Sequence, residues 1–81
     1  MSEVEILIND GCTKNEAERL LKNGTTVFTD LEQNLEHYLA EWQLDEESNS
    51  EIENMVRTKK PAKDWGVVEK EGKTYYIEYV L

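Results

Sequence analysis

Apolar positions along the 81-residue chain come in short groups separated by glycine, proline or charged breaks. The first group, Val4, Ile6, Leu7 and Ile8, is too short for its period to separate helix from strand. Asp10-Gly11 follows it, and glycine supplies the left-handed residue past a helix end, so a short helix over residues 3–9 is preferred. Thr13-x-x-Glu16 is a capping box, in which hydroxyl and carboxylate each bond the other residue's amide. Ala17, Leu20 and Leu21 form one face behind it, and Asn23-Gly24 closes the segment, which predicts a helix over 14–22. The β-branched and aromatic run Thr25 to Thr29 suits a short strand.

Thr29-x-x-Glu32 repeats the box. Leu31, Leu35, Tyr38, Leu39 and Trp42 then recur at helical spacing, which predicts a helix over 30–42. After a break, Ser48 or Ser50 should cap a short fourth helix with Ile52, Met55 and Val56 facing inward. Pro61 prevents its continuation. The C-terminal DWGVVEKEGKTYYIEYVL predicts a hairpin around Glu71-Gly72, pairing Lys70 with Lys73, Val68 with Tyr75 and Val67 with Tyr76. One face carries Val68, Tyr75, Ile77 and Tyr79; the other carries Trp65, Val67, Tyr76 and Val80. The more aliphatic side is expected to lie on the helices and the other to be only partly covered.

These elements predict a single α+β domain over residues 1–81. Three to four short helices pack on a C-terminal antiparallel β-hairpin, and residues 25–28 are the candidate for the third strand that an isolated hairpin needs. The expected core is Leu7, Leu20, Leu21, Val27, Leu31, Leu35, Tyr38, Leu39, Trp42, Ile52, Val56, Val68, Tyr75 and Ile77.

Composition supports a folded chain. Leu, Ile, Val and Phe number 19 of 81 residues, just above the roughly 20% level at which disorder becomes the better description. A domain of this size buries only about 60% of its unfolded surface, so each large apolar residue matters. No apolar run approaches the ~18 residues of a membrane span, and the acidic N-terminus does not read as a secretory signal. The single cysteine cannot form an internal disulfide. A cytoplasmic location is therefore expected.

Charge is segregated. Residues 30–53 hold nine acids and no Lys or Arg, which matches the net charge of −9 of the whole chain. The first 29 residues hold five acids and three bases, and residues 54–81 hold four acids and six bases. Such a balance argues against direct nucleic-acid binding and against an anionic membrane surface. It favours a basic partner.

Catalytic chemistry finds little support. His37 stands alone beside the stripe of the third helix, and Cys12 precedes a helix start without an orienting base nearby. One His and one Cys, about 25 residues apart and with no CxxC, do not compose a zinc site without carboxylates. Read from Asp45 as an EF-hand loop, the chain places Ser50 at the glycine position and Val56 at the bidentate glutamate position, so the pattern fails. There is no glycine-rich phosphate loop. A non-enzymatic protein with no cofactor and no metal is expected.

The surface carries what remains. Crowded carboxylates forgo Glu–Lys pairing and repel one another, which a basic partner would relieve. The predicted partner-binding residues are Glu32, Glu36, Glu41, Asp45, Glu46 and Glu47, joined by Trp65 and Tyr76 on the less covered hairpin face. Mimicry of nucleic acid by helical carboxylates is the sharpest form of this reading. Its rival is a structural protein that self-associates, as a homodimer, through the hairpin face.

The stretches GCTKNEAERLLKNGTTVFTDLEQNLEHYL and DWGVVEKEGKTYYIEYVL resemble short uncharacterised proteins carried by mobile elements and phage-derived regions of Gram-positive bacteria. The resemblance implies a bacterial intracellular protein and points toward host-factor binding or anti-defence roles.

Overall fold

The computed structural model describes residues 2–81. Its elements are α1 (Glu3–Asn9), α2 (Lys14–Lys22), β1 (Thr26–Phe28), α3 (Leu35–Trp42), α4 (Glu46–Thr58), β2 (Trp65–Lys70) and β3 (Lys73–Glu78). The α+β class, with four helices and a three-stranded antiparallel sheet, agrees with the sequence reading.

Local signals account for the first half. Ser2 caps α1 by accepting from the Glu5 amide, and Glu3 and Glu5 sit at the positive end of the helix. The Thr13–Glu16 capping box forms with both bonds, at 3.1 and 3.0 Å. Both helices close alike. Cys12 N–H bonds the Leu7 carbonyl across Gly11, and Thr25 N–H bonds the Leu20 carbonyl across Gly24. Gly11 and Gly24 sit at φ of 107° and 111°, the left-handed conformation this closure requires.

The sheet order is β1-β3-β2. The hairpin register is the predicted one: Lys70 opposes Lys73, Val68 opposes Tyr75, and Val67 opposes Tyr76. Glu71 and Gly72 both have positive φ, 53° and 78°, as the tight primed turn demands. β1 pairs on the other side of β3, with Val27 opposite Ile77 and Phe28 opposite Tyr76.

The central position of β3 overturns the expectation of one partly covered face. α1 and α2 bury Ile6, Leu7, Ala17 and Leu20 against Val68, Tyr75 and Ile77. On the opposite side, Leu31 and the Ile52, Met55 and Val56 face of α4 close over Tyr76. Tyr75, Tyr76 and Ile77 are consecutive and all buried, so the run lacks the alternation of a half-exposed strand. Tyr76, expected at an exposed binding face, has 0% exposure. It belongs to the core and offers a partner no surface.

Two helix starts also differ from expectation. α3 begins at Leu35 rather than at residue 30, and the Thr29–Glu32 box does not form. Asp30 instead accepts from the Asn34 side chain at 3.2 Å and from the Tyr38 hydroxyl at 2.8 Å. Leu31 meanwhile turns fully into the core. α4 begins at Glu46, capped by Asp45 rather than by Ser48 or Ser50. An aspartate carboxylate accepting the amide three residues on outcompetes a serine that would shorten the helix.

The expected core is right for Leu7, Leu20, Leu31, Ile52, Val56, Val68, Tyr75 and Ile77. Leu21, Val27, Leu35, Tyr38, Leu39 and Trp42 are only half-buried and pack around the edges of the two clusters. α3 contributes no fully buried residue because its rings cover one another. Phe28 meets Tyr38 and Trp42 edge-on at 5.3 and 5.5 Å, and Trp65 lies 5.9 Å from Trp42.

Gly66 marks a close approach. A Cβ there would fall well inside van der Waals contact of Asp10 Oδ2 and 2.9 Å from Tyr79 Cε2. Asp10 cannot yield freely, because its carboxylate accepts the Tyr79 hydroxyl in a short hydrogen bond. Burial, and then that carboxylate, push the Tyr79 hydroxyl far above its ordinary pKa and keep it protonated. Gly66→Ala is expected to lower unfolding stability by about 1–3 kcal/mol, with a smaller penalty when Asp10 is also alanine. Urea titration of the four-member cycle measures this; equal penalties in both backgrounds would refute the contact. The Tyr76 hydroxyl, by contrast, is buried with no hydrogen-bond partner among the described residues. Tyr76→Phe should therefore leave stability unchanged or raise it by up to about 1 kcal/mol in the same assay.

Candidate functional site: an acidic groove at the start of α4

The turn from α3 into α4 brings chemistry-bearing side chains onto the end of the sheet. Gln43 adopts a left-handed conformation at φ 50° and ends α3, so Leu44 projects beside the next helix with 38% exposure. Asp45 then starts α4, accepting the Ser48 amide at 2.7 Å. That bond holds the Asp45 carboxyl below its usual range. Glu47 and Glu51 are four residues apart and share one helix face. Across from them, the hairpin register places Trp65 opposite Glu78, with Asp64 just before.

These parts enclose an open groove of about 450 Å³. Leu44, Ile52, Ala62 and Trp65 supply its apolar surface, and Asp45, Glu47, Glu51, Asp64 and Glu78 supply five carboxylates. Lys63 is the sole base along its lining. The ion pairs among the described residues are His37 with Glu41 and Lys59 with Glu69. None of the five groove carboxylates is in one.

The predicted binding residues are therefore divided. Asp45, Glu47 and Trp65 meet in the groove. Glu46 is exposed in the first turn of α4 but does not line it. Glu32 and Glu36 lie around a separate hollow at the start of α3, together with His37. Glu41 is 3.5 Å from His37 Nε2, across one helical turn. Tyr76 is in the core. Glu51, Asp64, Glu78 and Leu44 also line the groove and are not among the predicted residues. The i, i+4 spacing from Glu47 signals Glu51, and extending the hairpin register five residues from Lys70 and Lys73 reaches Trp65 and Glu78. Nothing local signals Asp64 or Leu44, which depend on how α4 settles on the sheet.

The two candidate reactive side chains lie apart. Cys12 is half-buried with the α1–α2 cluster, its sulfur 3.9 Å from the Tyr79 hydroxyl. His37 is on α3, over the opposite face of the sheet, with its side chain 77% exposed. No group of three or more His, Cys, Asp or Glu among the described residues is arranged to hold a metal ion. No helix among them is long and apolar enough to cross a membrane. Comparison of the chain with protein-family models, curated proteins and solved structures yields no match.

Asp45 has two roles that substitution separates. Asp45→Ala removes the cap and should lower the urea midpoint, while Asp45→Asn, a good capping residue, should keep most of it and remove only charge. Because the folded pKa of Asp45 is depressed, its stabilising bond is fully present above the ordinary value of 3.8. It is lost as pH falls through the lower folded value. The difference between wild type and Asp45→Ala should accordingly be full at neutral pH and shrink as pH falls below 3.8. A difference independent of pH would remove the charged cap from the account.

Proposed function

We propose that this chain is a small non-enzymatic binding module whose acidic groove docks on a basic protein surface. The supporting observation is the convergence of five carboxylates, none in an ion pair among the described residues, around one open groove with a partly apolar wall. Carboxylates on one groove lining all attract a cationic partner, which steers its approach and orientation. The carboxylates come from α4, from the approach to β2 and from β3, so they surround a depression rather than forming a row along one helix. That arrangement suits an inserted side chain better than imitation of regularly spaced phosphates. Self-association through the hairpin face finds less support, because helices cover both faces of the hairpin.

The test compares two variants of equal net charge. Glu47→Lys with Glu51→Lys reverses the groove; Glu18→Lys with Glu53→Lys reverses exposed helix positions outside its lining. Proteins captured from a bacterial lysate by wild type should be held roughly threefold to tenfold less well by the groove variant and almost equally by the control. Capture should also fall steeply as salt rises. Equal loss with both variants would reduce the acidic groove to general charge, and capture insensitive to either would sink the proposal.

A further inference from the structure

The groove constrains its occupant beyond sign. Its lining is mostly polar, but Leu44, exposed, and Ala62 and Trp65, half-buried, add an apolar strip that purely ionic docking would leave uncovered. At about 450 Å³ it is large enough for a bulky side chain. Trp65 is half-buried and packed on Phe28 and Trp42 at 5.8 and 5.9 Å, so that wall is held in place by the aromatic cluster. Leu44 forms part of the rim with over a third of its surface open. A second copy of the chain carries a net charge of −9, which opposes its approach to this rim despite the mildly basic balance of residues 54–81, and nucleic acid or anionic lipid would bring phosphate. Charge complementarity leaves a cationic polypeptide.

We infer that the groove takes a short basic peptide segment in which one large aliphatic side chain, flanked by Lys or Arg, inserts between Leu44 and Trp65 while its neighbours meet the carboxylate rim. This rests on the acidic-docking reading and names its partner class. The anchor supplies affinity that salt does not screen; the flanking bases supply orientation and attraction.

Two blocked synthetic peptides test it, each a run of Lys and Arg with a central Leu in one and Ser in the other. They are titrated into the ¹⁵N-labelled full chain and followed by NMR shifts. The Leu peptide should bind about tenfold more tightly than the Ser peptide and shift the amides of Leu44, Ile52, Ala62 and Trp65. Leu44→Ser, at an exposed position, should abolish that difference while leaving the dispersed spectrum of a folded chain. Equal affinity of both peptides would overturn the anchor and leave acidic docking standing. A difference that survives in Leu44→Ser would place the anchor elsewhere and overturn the inference. Absence of any binding at low salt would overturn both.

Discussion

Burial of β3 on both faces is the constraint on which the rest of the molecule depends. Its three consecutive residues Tyr75, Tyr76 and Ile77 must be covered from two sides, and β1 and β2 can cover only its edges. With 81 residues there is little chain for this, so the helices divide. α1 and α2 go to one side; α3 and α4 go to the other. Helices of seven to thirteen residues have little stability alone and are held by this shared requirement.

The same division places the charge. α4 buries Ile52, Met55 and Val56 on the sheet, which leaves Glu47 and Glu51 along its margin. Its start lies beside Trp65 and Glu78, and its end comes near Glu69, where Lys59 approaches within 3.7 Å. The end of α4 is therefore tied to the hairpin through Lys59, while the carboxylates at its start are in no ion pair among the described residues. Trp65 joins the two regions, packed on the aromatic cluster from one side and lining the groove on the other. A groove that borrows its wall from the core is held in shape by that packing.

Readable parts of the chain were those whose geometry closes over a few residues. The Thr13 box, the Gly11 and Gly24 terminations and the Glu71-Gly72 turn form as their sequences indicate, because each depends on backbone conformations set within about five positions. Long-range competition decided the failures. The Thr29 box is as good locally as the Thr13 box, yet Leu31 is drawn into the core and Asp30 is taken up by Tyr38 and Asn34. Of the candidate site, Asp45, Glu47 and Trp65 were identified from charge and aromatic character, whereas their assembly with Asp64 and Glu78 was not.

By itself the amino-acid order determined the helix boundaries fixed by glycine, the hairpin register and the excess of negative charge, and it offered residues 25–28 as a candidate third strand that the structure pairs with β3. Only the tertiary structure decided that Tyr76 is core rather than surface and that the nine acids of residues 30–53 do not act as one patch. The reason is common to both. Which side of a strand or helix meets solvent depends on what packs across from it, and here a central strand needing two covers sends α4 to the face that one cover would have left open.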